Sequence, residues 1–134
     1  MHLPRYILRV ATLALAACSS GPPPDPVDVE AARACQAFRL LIDHAQRPGG
    51  APGEDRTAVL DAAVRIMKRP GEAVGDPQAK WYGLGVNLLK VDADLARARA
   101  GTGTTATLKE TAKKVTTACG ALSNQAKIAG GFVQ

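Results

Sequence analysis

Between residues 26 and 47, apolar and small side chains recur at steps of three and four residues, with charged or polar side chains between them. This spacing places the apolar residues on one face of an amphipathic α-helix. Asp25-Pro26 has the form of an N-cap followed by a proline at the first helical position, and Arg47-Pro48-Gly49-Gly50 predicts the end of the helix. The predicted apolar stripe consists of Ala31, Cys35, Phe38, Ile42 and Ala45.

The same periodicity predicts three further helices, over residues 54–69, 76–99 and 107–130. Pro70-Gly71 ends the second helix, and Asp76-Pro77 begins the third as another cap with its proline. Thr107 and Glu110 form a capping box at the start of the fourth, because each side chain can satisfy the other's free amide. The apolar stripes consist of Leu60, Ala63, Val64 and Met67 in the second helix, Trp81, Leu84, Leu88, Val91 and Leu95 in the third, and Leu108, Ala112, Val115, Cys119, Leu122 and Ala126 in the fourth.

None of these segments shows the alternation of period two that predicts strands. Four helices with connections of modest length pack most simply as an up-down antiparallel bundle. The sequence therefore predicts an all-α fold, a single helical domain over residues 27–134, with the first and last helices side by side.

The first 17 residues have the pattern of a signal for export. MHLPRYILR carries two arginines and no acid, and an almost unbroken run of apolar and small residues follows from Val10 to Ala17. This run is much shorter than the roughly 20 residues that a membrane-spanning helix needs. Leu15-Ala16-Ala17-Cys18 resembles the lipobox of bacterial lipoproteins. That resemblance implies that a diacylglyceryl group is added to the Cys18 sulfur and that cleavage before Cys18 removes residues 1–17.

Residues 18–26 have the composition of a tether between such an anchor and the helical domain. Pro22, Pro23, Pro24 and Pro26 favour an extended polyproline II path of about 3.1 Å per residue. Stable anchoring needs more than one acyl chain, since a single chain binds a membrane only marginally. An ordinary secretory signal cut after Ala17, with Cys18 a plain thiol, is the alternative.

The remaining cysteines, Cys35 and Cys119, lie on the apolar stripes of the first and last predicted helices. Export would place them in an oxidising compartment, where paired thiols persist as disulfides. If Cys18 carries lipid, an even number of cysteines remains and only one pairing is left. We expect a Cys35–Cys119 disulfide; two separate buried thiols are the alternative.

The sequence offers little that predicts catalysis, and we expect no enzymatic activity, no cofactor and no metal site. His44 is the only histidine after residue 17, and its position near the polar side of a helix is typical of a solvated residue. Asp92 and Asp94 should point about 200° apart on a helix, so they cannot share a metal ion. The glycine- and threonine-rich segment at residues 101–105 lacks the lysine of a phosphate-binding loop. Its composition predicts a connection between helices.

Two groups of residues are candidates for binding. Trp81 and Tyr82, beside two glycines, are candidates for an aromatic ligand or partner surface, or for a core anchor at a close helix contact. The polar face of the last predicted helix carries lysines that are candidates for contact with an anionic surface, namely Lys109, Lys113, Lys114 and Lys127. A solvated face is the simpler interpretation of these lysines.

Charge and composition narrow the class of protein. The chain has a net charge of +5, which falls to about +3 when Arg5 and Arg9 leave with the signal. An exported protein is a poor candidate for nucleic-acid binding. The composition, rich in alanine, glycine, proline and arginine, resembles that of small lipoproteins of high-GC Gram-positive bacteria or their phages.

Two functions fit these features. The first is a membrane-anchored lipoprotein on the extracytoplasmic face, a non-enzymatic module that binds an envelope protein or an anionic envelope polymer. The second is a carrier or sensor whose helical bundle holds a small apolar ligand near Trp81 and Tyr82.

Overall fold

The computed structural model describes residues 22–48 and 53–132, and within these ranges the regular structure is entirely helical. The prediction of an all-α fold is therefore confirmed. Cys18, residues 1–17 and Gly49-Gly50 lie outside the described residues. The helices are α1 (Pro26–Gln46), α2 (Gly53–Ile66), α3 (Tyr82–Arg99), α4 (Thr105–Gly120) and α5 (Asn124–Ala129).

The helices pack as a closed bundle. Helix α1 packs against α2, α2 against α3 and α3 against α4, and α1 also contacts α4 and α5. The α1–α4 contact is less extensive than those between consecutive long helices. A disulfide between Cys35 and Cys119, with the two Cα atoms 5.9 Å apart, crosses this contact and confirms the predicted pairing.

The start of α1 follows the prediction closely. The Asp25 side chain accepts a hydrogen bond of 3.0 Å from the Val27 N–H, and Pro26 occupies the first helical position. Asp25 thus satisfies one of the amides that a helix start leaves without an intrahelical partner. The helix ends at Gln46, with Arg47 as its C-cap, again as predicted.

The second and third helices are shorter than their periodicity predicts. Helix α2 ends at Ile66 instead of Arg69, and α3 begins at Tyr82 instead of Asp76-Pro77. The cause lies in the connection, where the Met67 carbonyl accepts backbone hydrogen bonds of 3.0 Å from both Gly75 and Asp76. These bonds fold the connection back on itself, with Gly75 at a φ of 94°, where glycine is favoured.

The last predicted helix is two helices. Thr104 caps α4 through a hydrogen bond of 3.4 Å from the Thr107 N–H to its hydroxyl, so Thr107 lies inside the helix and does not cap it. The chain then leaves the helical path after Gly120, and Ser123 caps α5 by accepting a 3.2 Å hydrogen bond from the Ala126 N–H. Lys127 consequently lies on α5, apart from the three lysines of α4.

The core contains most of the predicted stripes, with one shift in α2. Val59 is fully buried there although the sequence analysis did not select it, and Val64 is 41% exposed although it was assigned to the stripe. The largest fully buried side chains are those of Leu41, Leu88, Val59, Val91, Val115 and Cys35.

Gly85 explains how closely α3 approaches α2. A Cβ atom at this position would lie 2.3 Å from Met67 Cγ and 3.1 Å from the Ala63 carbonyl oxygen. Gly83 has nothing within 4 Å of such an atom. Of the two glycines beside Trp81 and Tyr82, Gly85 alone permits the close helix contact considered from the sequence.

Candidate functional site

A groove of about 550 Å³ lies where α1 begins, α2 ends and the chain approaches α3. Ile66 and Ala79 are buried in it, and Trp81 is half-buried. Its volume is within the range of roughly 300–1,000 Å³ that small-molecule sites occupy. It is lined by Pro26, Val27, Glu30, Arg65, Ile66, Lys68, Arg69, Pro70, Gln78, Ala79, Lys80 and Trp81.

The Trp81 indole is held in place from α1. Its Nε1 donates a hydrogen bond of 2.8 Å to Asp28 Oδ1, and Lys80 Nζ lies 2.8 Å from the same oxygen. Lys80 Nζ also lies 5.7 Å from the centre of the indole ring, within the range of a cation–π contact. Asp28 therefore fixes two consecutive residues that line the groove, and the indole presents its ring to the groove in one orientation.

Asp28 and Lys80 each stabilise the charged form of the other. Burial acts to raise the pKa of Asp28, but the hydrogen bonds from Lys80 and Trp81 outweigh burial and hold that pKa below its ordinary value of 3.8. The hydrogen bond to Asp28 raises the pKa of Lys80 above 10.5. Both groups are therefore charged throughout the neutral range, and the contact persists there.

The rim of the groove is strongly basic. Four cations and a single carboxylate, that of Glu30, line it. Arg69 is held by other side chains, with Nε 2.8 Å from Asp76 Oδ2 and Nη2 donating to Gln78 Oε1 at 2.5 Å. The pKa of Asp76 is lowered, chiefly by the hydrogen bond from the Gln78 N–H, with burial opposing it.

Arg65 and Lys68 differ from the other two cations because neither forms an ion pair with any residue in the ranges 22–48 and 53–132. Both side chains are exposed, and both lie beside the apolar surface of the groove. The groove can therefore accept a ligand that is apolar at one end and negatively charged at the other.

Of the aromatic pair selected from the sequence, Trp81 lines the groove and Tyr82 does not. Tyr82 is the first residue of α3 and is half-buried. The groove is also lined by Arg65, Lys68 and Arg69, which were not among the candidates predicted from the sequence, although they cluster just before Pro70-Gly71.

The predicted lysine surface is only partly continuous. Lys109, Lys113 and Lys114 are exposed on α4, whereas Lys127 is half-buried on α5. Lys109 and Lys113 are four residues apart and share a face of the helix. These lysines do not line the groove beside Trp81.

A second depression, of about 430 Å³, lies between α1 and α4 beside the disulfide. Phe38, Ile42, Ala112 and Phe132 contribute its apolar surface. Arg39 stacks over the Phe132 ring at 4.8 Å from its centre, so the depression is partly covered by the chain's own last described residues.

Asp92 and Asp94 are both buried, and each has its own partners, so they do not form a joint site. Arg56 donates two hydrogen bonds to Asp92, of 2.7 and 3.3 Å, and the pKa of Arg56 is raised by them. Asp94 accepts hydrogen bonds from Arg97 and from the Thr111 hydroxyl, the latter at 3.0 Å. These contacts fasten α3 to α2 and to α4, which is a structural role.

His44 is less solvated than its position in the sequence suggests. Its Nδ1 lies 2.6 Å from Asp55 Oδ2, and its side chain is 38% exposed. This contact joins the end of α1 to the start of α2. No group of three or more metal-ligating side chains is found within residues 22–48 and 53–132.

No helix in the described part of the chain has the length and apolar character needed to cross a bilayer. Comparison with known proteins finds no matching protein family, no similar curated protein and no similar solved structure. Functional inference therefore depends on the residues of this chain alone.

Proposed function

We propose that this protein is a lipoprotein anchored on the extracytoplasmic face of the cell membrane, where its helical bundle acts as a non-enzymatic binding module. The observation that carries the proposal is Leu15-Ala16-Ala17-Cys18, placed after a basic and apolar signal and before a proline-rich segment. The membrane is the first partner through the acyl groups on Cys18. An envelope protein or an anionic envelope polymer is the second.

The disulfide supports export. Cys35 and Cys119 are bonded across the bundle, and such bonds persist mainly in secreted and envelope proteins. The start of the bundle supports the tether as well, because α1 begins with its own cap at Asp25. The eight residue-to-residue steps from Cys18 to Pro26 would then separate the anchor from the bundle by roughly 25 Å in an extended polyproline II path.

The test is metabolic labelling with an alkyne analogue of palmitate in cells that express the full chain. We expect the wild-type chain to carry the label and to remain in the membrane fraction. Cys18→Ser should abolish labelling, because the acceptor sulfur is gone. Ser19→Ala, a matched control next to the acceptor, should be labelled like wild type. An unlabelled wild-type chain overturns the proposal.

A second function, which the sequence already offered as the alternative, is favoured by the groove beside Trp81. In this function the module is a carrier or sensor of a small apolar ligand, with Ile66, Ala79 and Trp81 supplying the apolar contact surface. Trp81 is the only tryptophan of the chain, so its fluorescence reports on the groove directly.

This second function is tested by titrating the full chain with an uncharged monoacylglycerol below its micelle concentration. Occupancy of the groove predicts a saturable blue shift of the Trp81 emission, since the acyl chain displaces water from the indole. A module that binds only through its outer surface would show no saturable shift.

A further inference from the structure

The groove beside Trp81 combines an apolar interior with a basic rim. Its interior is apolar, with Ile66 and Ala79 buried and Trp81 half-buried in the same groove. Its rim carries four cations against one carboxylate. An uncharged apolar ligand would use the interior and leave Arg65 and Lys68 without a counterion.

The four cations are not equivalent. Lys80 forms an ion pair with Asp28. Arg69 forms an ion pair with Asp76 and donates a hydrogen bond to Gln78. These contacts hold the two side chains in fixed positions and neutralise part of their charge. Arg65 and Lys68 have no such partner among the described residues. Arg65 lies in the last turn of α2 and Lys68 lies two residues beyond the end of that helix, and both line the groove.

We propose that the groove binds a single-chain anionic lipid, with its acyl chain against Ile66, Ala79 and Trp81 and its headgroup phosphate between Arg65 and Lys68. This assignment rests on the carrier or sensor function proposed above and names its ligand class. Charge complementarity selects this occupant, because two unpaired cations border an apolar groove with a volume of about 550 Å³. A phosphate accepts several charge-assisted hydrogen bonds from arginine and lysine, so it satisfies both side chains at once.

The position of the groove agrees with a lipid ligand. Pro26 and Val27, in the first turn of α1, line the groove. The chain leads from this turn back toward Cys18, so a lipid anchor would hold this end of the bundle nearest the membrane. The opening would then lie close to a supply of lipid.

The experiment measures binding to the full chain carrying Cys18→Ser, oxidised so that Cys35 and Cys119 are bonded. Because the Cys18→Ser chain cannot be acylated at this position, the binding result does not depend on whether Cys18 carries lipid in cells. The probe is lysophosphatidylglycerol, compared with an uncharged monoacylglycerol of the same chain length and with glycerol phosphate alone. Trp81 emission and isothermal calorimetry are the readouts, at low salt and below the micelle concentrations.

We expect lysophosphatidylglycerol to bind in one saturable step and more tightly than the monoacylglycerol, and glycerol phosphate alone to bind too weakly to detect. The double variant Arg65→Gln/Lys68→Gln should weaken lysophosphatidylglycerol binding by about twenty-five-fold, since each cation near an anionic lipid contributes roughly fivefold. Its affinity for the monoacylglycerol should be unchanged.

The matched control is Arg47→Gln/Lys90→Gln, which removes the same two charge types at exposed positions outside the groove. It should retain wild-type affinity for both probes. Val27→Phe, which fills the groove from the first turn of α1, should weaken both probes. Far-ultraviolet circular dichroism of every variant establishes that the helices remain formed.

Three results would overturn the assignment. Equal affinity for the charged and uncharged probes would be consistent with the carrier function, but it would show that the groove does not recognise an anionic headgroup. Equal losses in Arg65→Gln/Lys68→Gln and Arg47→Gln/Lys90→Gln show that net charge, and not this site, attracts the lipid. If neither amphiphile binds, the carrier function fails together with its ligand.

Discussion

Reduction of the Cys35–Cys119 disulfide should remove much of the stability of the bundle. The two cysteines are 84 residues apart, and a crosslink closing a loop of this length contributes about 4.5 kcal/mol in the chain-entropy model. A domain of this size has a total unfolding free energy of about 5–15 kcal/mol. The loss should lower the melting temperature by roughly 15–20 °C.

The bond should matter locally as well, because it crosses the α1–α4 contact, which is less extensive than the contacts between consecutive long helices. Amide hydrogen exchange in α4 should therefore accelerate more than exchange in α2 when the protein is reduced. Helix α2 retains its extensive packing against both α1 and α3.

The assay is urea unfolding of the oxidised and the reduced wild-type chain, followed by circular dichroism, with Cys35→Ala/Cys119→Ala as a third sample. Reduction leaves the side chains in place, so it separates the crosslink from the packing of the sulfur atoms. The double variant should lose slightly more than the reduced protein, because both cysteines are buried. A loss below about 1 kcal/mol on reduction would contradict the reasoning from loop closure.

Three further outcomes are expected. Gly85→Ala should lower the free energy of unfolding by about 1–3 kcal/mol, because its Cβ would lie 2.3 Å from a buried side-chain carbon. Gly83→Ala, with open space around the added atom, should be neutral or stabilising by up to about 1 kcal/mol in the same urea titration. Thr104→Ala should cost about 1 kcal/mol by removing the cap of α4, and no measurable loss would contradict that cap. The pKa of Asp28 in the folded protein lies below its ordinary value of 3.8. The ionised carboxylate therefore contributes its full share of the folding stability above pH 3.8, and this share is lost as the pH falls through the lowered pKa. An acid titration should show a red shift of Trp81 emission only below pH 3.8, as the pH falls through the lowered pKa of Asp28, and this shift should be absent in Asp28→Asn.

The sequence was sufficient to predict the helical fold where local signals and burial agree. Asp25-Pro26 predicts the start of α1, and its capping hydrogen bond is present. The same two residue types at Asp76-Pro77 do not start a helix. There the Asp76 side chain bonds to Gln78 and Arg69, and the backbone of the connection bonds back to Met67. These partners are available because the connection between α2 and α3 folds back on itself. The hydrophobic periodicity of the sequence carries no information about that fold.

Two candidate caps explain the error at α4. Thr107 with Glu110 fits the capping-box pattern, but Thr104 supplies the capping oxygen, three residues earlier. The shift at α2 has a similar origin, because Val59 and Val64 are both apolar and only the packing of neighbouring helices decides which is buried.

The candidate groove could be predicted only in part. Trp81 was selected with Tyr82 because the single tryptophan of the chain lies beside a tyrosine and two glycines. Arg65 and Lys68 lie well before it in sequence, and they reach the same groove because the connection between α2 and α3 folds back. Asp28, which orients the indole, is 53 residues from Trp81.

The central claim, a lipid-anchored and disulfide-bonded module, is tested most directly by the non-reduced intact mass of protein extracted from its native membrane, with fragment mapping. The account predicts a chain that begins at Cys18, heavier by its acyl groups and lighter by the two hydrogens lost between Cys35 and Cys119. A chain that begins at Cys18 without acyl groups would contradict the anchor.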